Sequence, residues 1–369
     1  MTLAEALQIK QKDSIATFRR SGKKFIIYGA GNVGKDLLDI FSRHKLPVKY
    51  FIDINAKNDQ HIKNIPVITP EKAKSLKKED VCVVIGLFNS LINAADIKKT
   101  LKGYGYKVIY NFFEIFHIFA DELGSRYFMQ KKDYYRKNSA AILKAADIWA
   151  DEKSWKLYRQ TLLFRITGDL KYSPEPDQTG AQYFPEDVPG WKNPYNFIDC
   201  GAFNGDTMLN MKKRVGRIKK IAAFEPDSFN INKLMNMIRE NDPAEEVYLF
   251  PCGVYSKTTQ IRFSANKGSS CCIDPDGTTF IQTAAIDDAL INFKPDLIKM
   301  DIEGSEIDAL NGAAQTIKRS SCNLAVCVYH KPDDIWRIVE LINNWNLNFK
   351  MYLRVHYYHS FEMVLYAVR

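Results

Sequence analysis

The run Asp199-Cys200-Gly201-Ala202-Phe203-Asn204-Gly205-Asp206-Thr207 sets the fold of the larger part of the chain. It leaves an apolar stretch at 197–200 and enters a sequence with helical periodicity. A glycine after a strand permits a tight turn and lets backbone approach a ligand closely. Asp199, at the strand end, is placed to attract a ligand ammonium. The next apolar run, 221–224, closes on Glu225-Pro226, and a carboxylate there suits hydrogen bonds from a ribose diol.

Downstream, apolar runs at 247–250, 297–300 and 324–329 alternate with helical segments, which predicts a parallel α/β sheet. Residues 260–263 and 280–284 read as a hairpin-type insertion, and 349–355 with 362–368 as two closing antiparallel strands. A glycine turn with an acidic partner also suits NAD. The acid at the start of the loop and the closing antiparallel pair favour S-adenosylmethionine, whose amino-acid end is an ammonium where NAD has a pyrophosphate.

Two further blocks hold polar groups at strand ends. Lys299-Met300-Asp301-Ile302-Glu303-Gly304-Ser305-Glu306 puts Asp301 and Glu303 on one side as the chain leaves the sheet. Such carboxylates are costly to bury unless solvated, paired or used; alternatively they cap a helix starting at Gly304-Ser305. Tyr329-His330-Lys331-Pro332-Asp333-Asp334 places an imidazole and an ammonium after the following strand. His330 is the first choice for general base, because a neutral imidazole titrates near working pH. Asp301 and Glu303 can orient a hydroxyl, accept its proton, or hold a divalent cation such as magnesium, although two carboxylates and a histidine specify no metal geometry by spacing alone. A metal is therefore not expected.

In this order the aspartate–glycine loop, Phe224-Glu225-Pro226-Asp227, the 298–306 block, the 329–334 block and the ending from Leu353-Arg354 to Phe361-Glu362 and 364–367 resemble the FkbM-type methyltransferases. Gln182-Tyr183-Phe184 is similar to that family's QYF element, so the resemblance covers about half of the chain, 180–369. It implies a class I methyltransferase fold and methyl transfer from S-adenosylmethionine, usually to an oxygen of a small molecule or sugar. It further implies that Asp199, Gly201, Asn204, Asp206 and Thr207 line the cofactor, with Glu225 on the ribose and Asp227 or the Pro251-Cys252-Gly253 turn at the adenine. Tyr183, Lys331, Arg354 and His356 fall to the acceptor, Arg354 and His356 facing an acidic part of it. Three positions depart from the pattern: Tyr329 precedes His330 in place of a second histidine, Val355 interrupts the LRH element, and Met363 replaces a common threonine.

The N-terminal third repeats the glycine logic. Gly29-Ala30-Gly31-Asn32-Val33-Gly34 follows the apolar run 25–28 and opens a helix, and Asp53 ends the next strand. Strands at 66–68, 81–85 and 107–110 extend a doubly wound sheet over 23–112, preceded by a short amphipathic helix within 1–20. This segment resembles the small Rossmann-like domains attached to nucleotide-sugar-modifying enzymes, whose glycine loop cradles a nucleotide phosphate. Three readings stay open: a nucleotide or nucleotide-sugar site at Gly29, Gly31, Gly34 and Asp53; a scaffold or oligomerisation domain; and an NAD site. The last belongs to a rival account in which the protein is an NAD-dependent oxidoreductase, and a nucleotide-sensing module is another. The expected organisation is therefore two Rossmann-like α/β domains: 1–112, a helical connector and Pro/Gly-rich loop or lid at 113–180, and a methyltransferase domain at 181–369.

Composition bounds these readings. The 369 residues carry a formal charge of +9. Residues 1–112 hold 20 Lys and Arg against 10 acids, and the remainder 32 against 33, so the basic excess lies wholly in the first third. Such a bias favours anionic partners, here a phosphate-bearing nucleotide sugar. No basic stripe with interleaved aromatics supports nucleic acid. Seven cysteines without a C-x-x-C pair form neither a disulfide framework nor a zinc ribbon. With no signal-peptide core and no run long enough to span a bilayer, the chain is expected to be cytoplasmic, away from membranes.

Overall fold

A computed structural model of the chain describes residues 1–9, 14–124, 126–177, 181–264, 272–273 and 276–369. Gly180, Cys271 and residues 10–13 of the N-terminal segment lie outside them. The chain divides into two compact units. The first comprises Met1–Leu143, Leu157–Pro176 and Tyr357–Phe361; the second Lys144–Lys156, Asp177–His356 and Glu362–Arg369.

The first unit is a doubly wound α/β domain. Its six-stranded sheet runs His61–Ile62, Ile65–Ile68, Val48–Ile52, Lys24–Tyr28, Val81–Ile85, Ile109–Asn111, parallel except at the His61–Ile62 edge. Val81–Ile85 is buried throughout, as a parallel strand covered on both faces must be. The helix expected within 1–20 is two short ones, Leu3–Leu7 and Ile15–Arg20.

The connector expected from residue 113 is instead part of this core. Asn111 and Glu114 form a reciprocal capping box that starts the helix Phe112–Leu123. Phe119 on that helix stacks with Phe18 and meets Phe41 of the helix Asn32–Arg43, so its apolar face has nowhere to separate from the sheet. The hydrophobic packing, rather than the change from strand to helix, sets the domain edge.

The second unit is built on a seven-stranded sheet ordered Lys350–Val355, Met363–Val368, Asn323–Cys327, Leu297–Met300, Asn196–Cys200, Ile218–Phe224, Ala244–Phe250. Five strands are parallel, and Lys350–Val355 and Met363–Val368 close the edge antiparallel, with Leu353 opposite Leu365. The insertion is a separate four-stranded sheet in which Thr259–Ser264 pairs antiparallel with Thr279–Ala284. Chain order reverses at Asn196–Cys200, which lies between Leu297–Met300 and Ile218–Phe224. A ligand crevice in such a sheet forms beyond the carboxyl ends of the strands at that reversal. Those ends carry Asp199 to Gly201 and Asp301, which is where the chemistry collects.

Candidate active site

The glycine loop is shaped by its neighbours. Gly201 has φ +79°, and a Cβ there would lie 2.0 Å from the carbonyl oxygen of Asp301. Only glycine lets the two strand ends come this close. Asp199 and Lys299 face each other across adjacent strands and form a fully buried ion pair, with Lys299 Nζ 3.0 Å from Asp199 Oδ1. The same ammonium donates to the Gly201 carbonyl at 2.7 Å and lies 5.2 Å from the centre of the Tyr183 ring. Burial pushes the Asp199 carboxyl up to about 6 against the pull of Lys299. Asp199 Oδ2 accepts no hydrogen bond among the described residues.

Glu225 ties the loop to the next turn. One of its oxygens accepts from Phe203 N–H at 2.9 Å, the other from Asp227 N–H at 2.8 Å and Asn230 Nδ2 at 3.3 Å. Asp227 is the N-cap of the helix Ser228–Asn241, accepting from the amides of Phe229 and Asn230. Asn204 accepts from the Asp206 amide, and Asp206 accepts from that of Thr207, so all three shape the start of the helix Asp206–Val215. Gly253 stands apart in a short strand beside Thr283.

His330 stands at the centre of an acidic group. Its Nδ1 lies 2.9 Å from Glu306 Oε1; its Nε2 lies 3.4 Å from Asp301 Oδ1 and 3.8 Å from Glu303 Oε1. Burial works against the charged ring, yet Glu306, Glu303 and Asp301 together raise its pKa well above the ordinary value. These surroundings favour the charged ring over the neutral imidazole expected of a general base, and place His330 between carboxylates on both of its nitrogens. Asp301 and Glu303 do not cap a helix at Gly304-Ser305. The helix starts at Glu306, and Ser305 makes no side-chain cap.

The two carboxylates differ. Burial works against ionisation of Asp301, but Lys299, His330 and a hydrogen bond from Tyr183 hold it below its ordinary range. Tyr183 donates to Asp301 Oδ2 at 2.9 Å. Glu303 is pushed up to about 8, chiefly by burial, with Asp301, Glu306 and Glu362 adding to the effect and His330 opposing it. Glu303 also sits at φ +55°, a left-handed conformation costly for a glutamate.

Glu362, Gln182, Lys299 and Glu306 complete the site, and the sequence reading assigned no role to any of them. Glu306 lies three residues past Glu303, a spacing that would have flagged it. Glu362 follows a turn in which His359, Ser360 and Glu362 all have positive φ. Its oxygens accept from Tyr329 Oη at 2.7 Å and from Gln182 Nε2. Among the described residues, Asp301, Cys327 and Glu362 bring ligand-type atoms within 4.8 Å of one another, a different set from Asp301 with Glu303. A thiol with two carboxylates suits zinc better than magnesium. Each of the four carboxylate oxygens in that set already faces a donor or the His330 cation.

The remaining expected acceptor residues fall in other surroundings. Arg354 is 1% exposed and donates to Asp187 at 2.7 Å, Asp151 at 2.8 Å and Ser154 at 3.0 Å. Its acidic partners thus come from the protein. His356 Nε2 lies 2.8 Å from Tyr366 Oη, whose proton goes to the Gln182 carbonyl. That leaves Nε2–H as the donor, and burial lowers the His356 pKa to about 4. Lys331 is exposed and runs beside Gly304.

In the first unit, Gly29 (φ +104°) and Gly34 pack tightly; a Cβ on Gly34 would lie 2.0 Å from Gly29 O, whereas Gly31 meets open space. Gly31 caps the helix Asn32–Arg43 without a side-chain hydrogen bond. Asp53 turns back on the chain, accepting from Ala30 N–H at 2.8 Å and Asn55 N–H at 2.9 Å.

No described helix is long and apolar enough to cross a membrane.

Residues 199–360 match the methyltransferase FkbM domain. The whole chain is similar in fold to a methyltransferase FkbM from Methylobacillus flagellatus, at 21% identity over 99% of this chain and 97% of that one, with a TM-score of 0.79. A fibrillarin from Aeropyrum pernix in complex with S-adenosyl-L-methionine aligns with 50% of this chain and 70% of its own at 10% identity; its TM-score of 0.32 is too slight to place a residue. No curated protein matches the chain. Residues 199–360 are thus a methyltransferase FkbM domain, in a chain whose fold is similar to that of a methyltransferase FkbM.

Proposed function

We propose that the protein moves a methyl group from S-adenosylmethionine to a hydroxyl of a small molecule, a sugar or nucleotide-linked sugar. The observation that carries this reading is a pair of carboxylates with opposed ionisation, Asp301 and Glu303, abutting the glycine loop. Two neighbouring acids driven apart in this way mark an acid–base site.

The residues present suit the cofactor. Asp199 Oδ2, buried and without a donor, is a seat for an ammonium. Gly201 leaves backbone open to close approach. Glu225 keeps lone-pair capacity beyond its three contacts for one hydroxyl of a ribose. Asn204, Asp206 and Thr207 would line the loop, with Asp227 and Gly253 toward the base. When bound, the cofactor supplies an electrophilic methyl on a sulfonium.

The chain's own residues supply alignment and proton removal. Asp301, held ionised, accepts a hydrogen bond from the acceptor hydroxyl and orients it. Glu303 takes the proton at its carboxylate. His330 keeps its charge throughout and prevents the two acids from repelling each other. The donor set suits no magnesium ion, and no step requires one.

The first unit, taken by itself, would bind a nucleotide phosphate at the amides opening Asn32–Arg43, beside Gly29, Gly31 and Gly34. Asp53 is engaged with its own loop, which argues against an NAD ribose there. A screen of sugars and nucleotide sugars with S-adenosylmethionine, read by mass, is expected to show gain of one methyl group. Calorimetric binding of NAD but not of S-adenosylhomocysteine would overturn the reading.

A further inference from the structure

We propose that Gln182 is a positioning residue: standing between Tyr183 and Glu362, it fixes the direction of the Tyr183 hydroxyl and commits that hydroxyl to Asp301. This rests on the reading of Asp301 as the residue that orients the acceptor.

The amide nitrogen of Gln182 carries two protons and accepts none. One goes to Glu362 Oε2, the other to Tyr183 Oη at 3.0 Å. Tyr183 Oη therefore serves as acceptor on one side, and its single proton is left for Asp301 Oδ2 at 2.9 Å. Without Gln182 the hydroxyl is free to turn away from Asp301, and Cys327 Sγ, 3.6 Å from the same oxygen, is then a second partner within reach beside the carboxylate. The donors thus run outward from Gln182, to Glu362 on one side and through Tyr183 to Asp301 on the other.

Gln182 is itself anchored. Its backbone carbonyl accepts from Tyr366 Oη, and His356 Nε2–H supports that hydroxyl. Glu362, the acceptor that orients the amide, is held from its other side by Tyr329 at 2.7 Å. Tyr183 is 7% exposed, so water does not readily replace these partners.

Asp301 is faced by several charged and titratable groups. Lys299 lies on the strand that Asp301 leaves, Cys327 at the end of the strand beside it, and Tyr183 on the segment against them. His330 and Glu303 lie on the turns that leave the sheet, and Glu362 precedes the last strand. Of these, Lys299, His330, Tyr183 and Cys327 favour the ionised carboxylate, and Tyr183 does so only while its proton points that way.

The test reads Asp301 directly in the full-length protein. Aspartate labelled with 13C at its carboxyl is followed through a pH titration, with Asp301→Asn identifying the resonance. Tyr183→Phe keeps the ring and removes the proton; Gln182→Met keeps the volume and removes the donor. Asp301 is expected to titrate about one pH unit higher in Tyr183→Phe, a tenfold change in its ionisation constant, and to move in the same direction in Gln182→Met. Gln182→Leu repeats the second arm with a different apolar shape should Gln182→Met fail to fold. An Asp301 that titrates alike in wild type and the Gln182 variants overturns the proposal. The titration needs no acceptor, so a moved Asp301 without methyl transfer would contradict the proposed function instead.

Discussion

At the level of single residues, chemistry depends on which carboxyl group holds a proton, and spacing alone does not reveal that. Asp301 and Glu303 were legible as a pair because strand alternation puts them on one side. Their opposed ionisation was not legible, since it comes from Tyr183, Lys299, His330 and Glu306, which tertiary folding brings together. His330 shows the same limit: its position after a strand was readable, but its charge is set by Glu306 at 2.9 Å. Glu303→Gln is expected to lower kcat by roughly 10²- to 10⁴-fold, the usual worth of a general base. Binding of S-adenosylhomocysteine, measured by calorimetry, should stay unchanged in that variant; a Glu303→Gln enzyme with normal kcat would remove the assigned role. Gly201→Ala has a steric basis, because its Cβ would press on the Asp301 carbonyl at 2.0 Å. Strain at φ +79° alone costs about 1–3 kcal/mol, so chemical unfolding should show at least that loss.

Strands and helices were more readable than the contacts between them. The strand that carries Asp199, the one before Asp301 and the antiparallel closing pair fall where apolar runs and turn residues place them. A parallel strand buried on both faces leaves a short, uninterrupted apolar signature that needs no tertiary information. Boundaries set by side-chain caps or long-range packing escaped that reasoning. Glu306 rather than Gly304 opens its helix, and Phe112–Leu123 joins the first unit through Phe119. Arg354 was read as an acceptor contact because its partners Asp151 and Asp187 lie far away in sequence. Asp227 gives a test at this scale. As N-cap of Ser228–Asn241 it accepts from two amides, so Asp227→Ala should cost about 1 kcal/mol in thermal or denaturant unfolding. Asp227→Asn, still able to cap, should recover most of it.

Across the whole molecule, the basic excess of residues 1–112 belongs to the first unit, and buried histidines govern both units on acidification. Burial lowers His117 to about 3 and His359 to about 4 in the first unit, and His356 to about 4 in the second. A histidine kept neutral in the fold and free to charge when unfolded contributes stability above its unfolded pKa of about 6.5. That contribution is lost as pH falls toward the folded values. Melting temperature should therefore decline from pH 7 to pH 4, and His117→Phe should flatten the decline. An unchanged melting temperature over that range would contradict the assignment. Charge was available from composition. The burial of three uncharged imidazoles was not, because nothing local distinguishes them from solvated ones.

The pH dependence of methyl transfer reports on Glu303, which burial holds near 8 and which must be ionised to accept the hydroxyl proton. With an acceptor identified by the mass screen, kcat/KM is expected to rise about tenfold per pH unit below 8 and to level off above it. A profile that is flat between pH 6 and 9, or that falls as pH rises, would contradict the account.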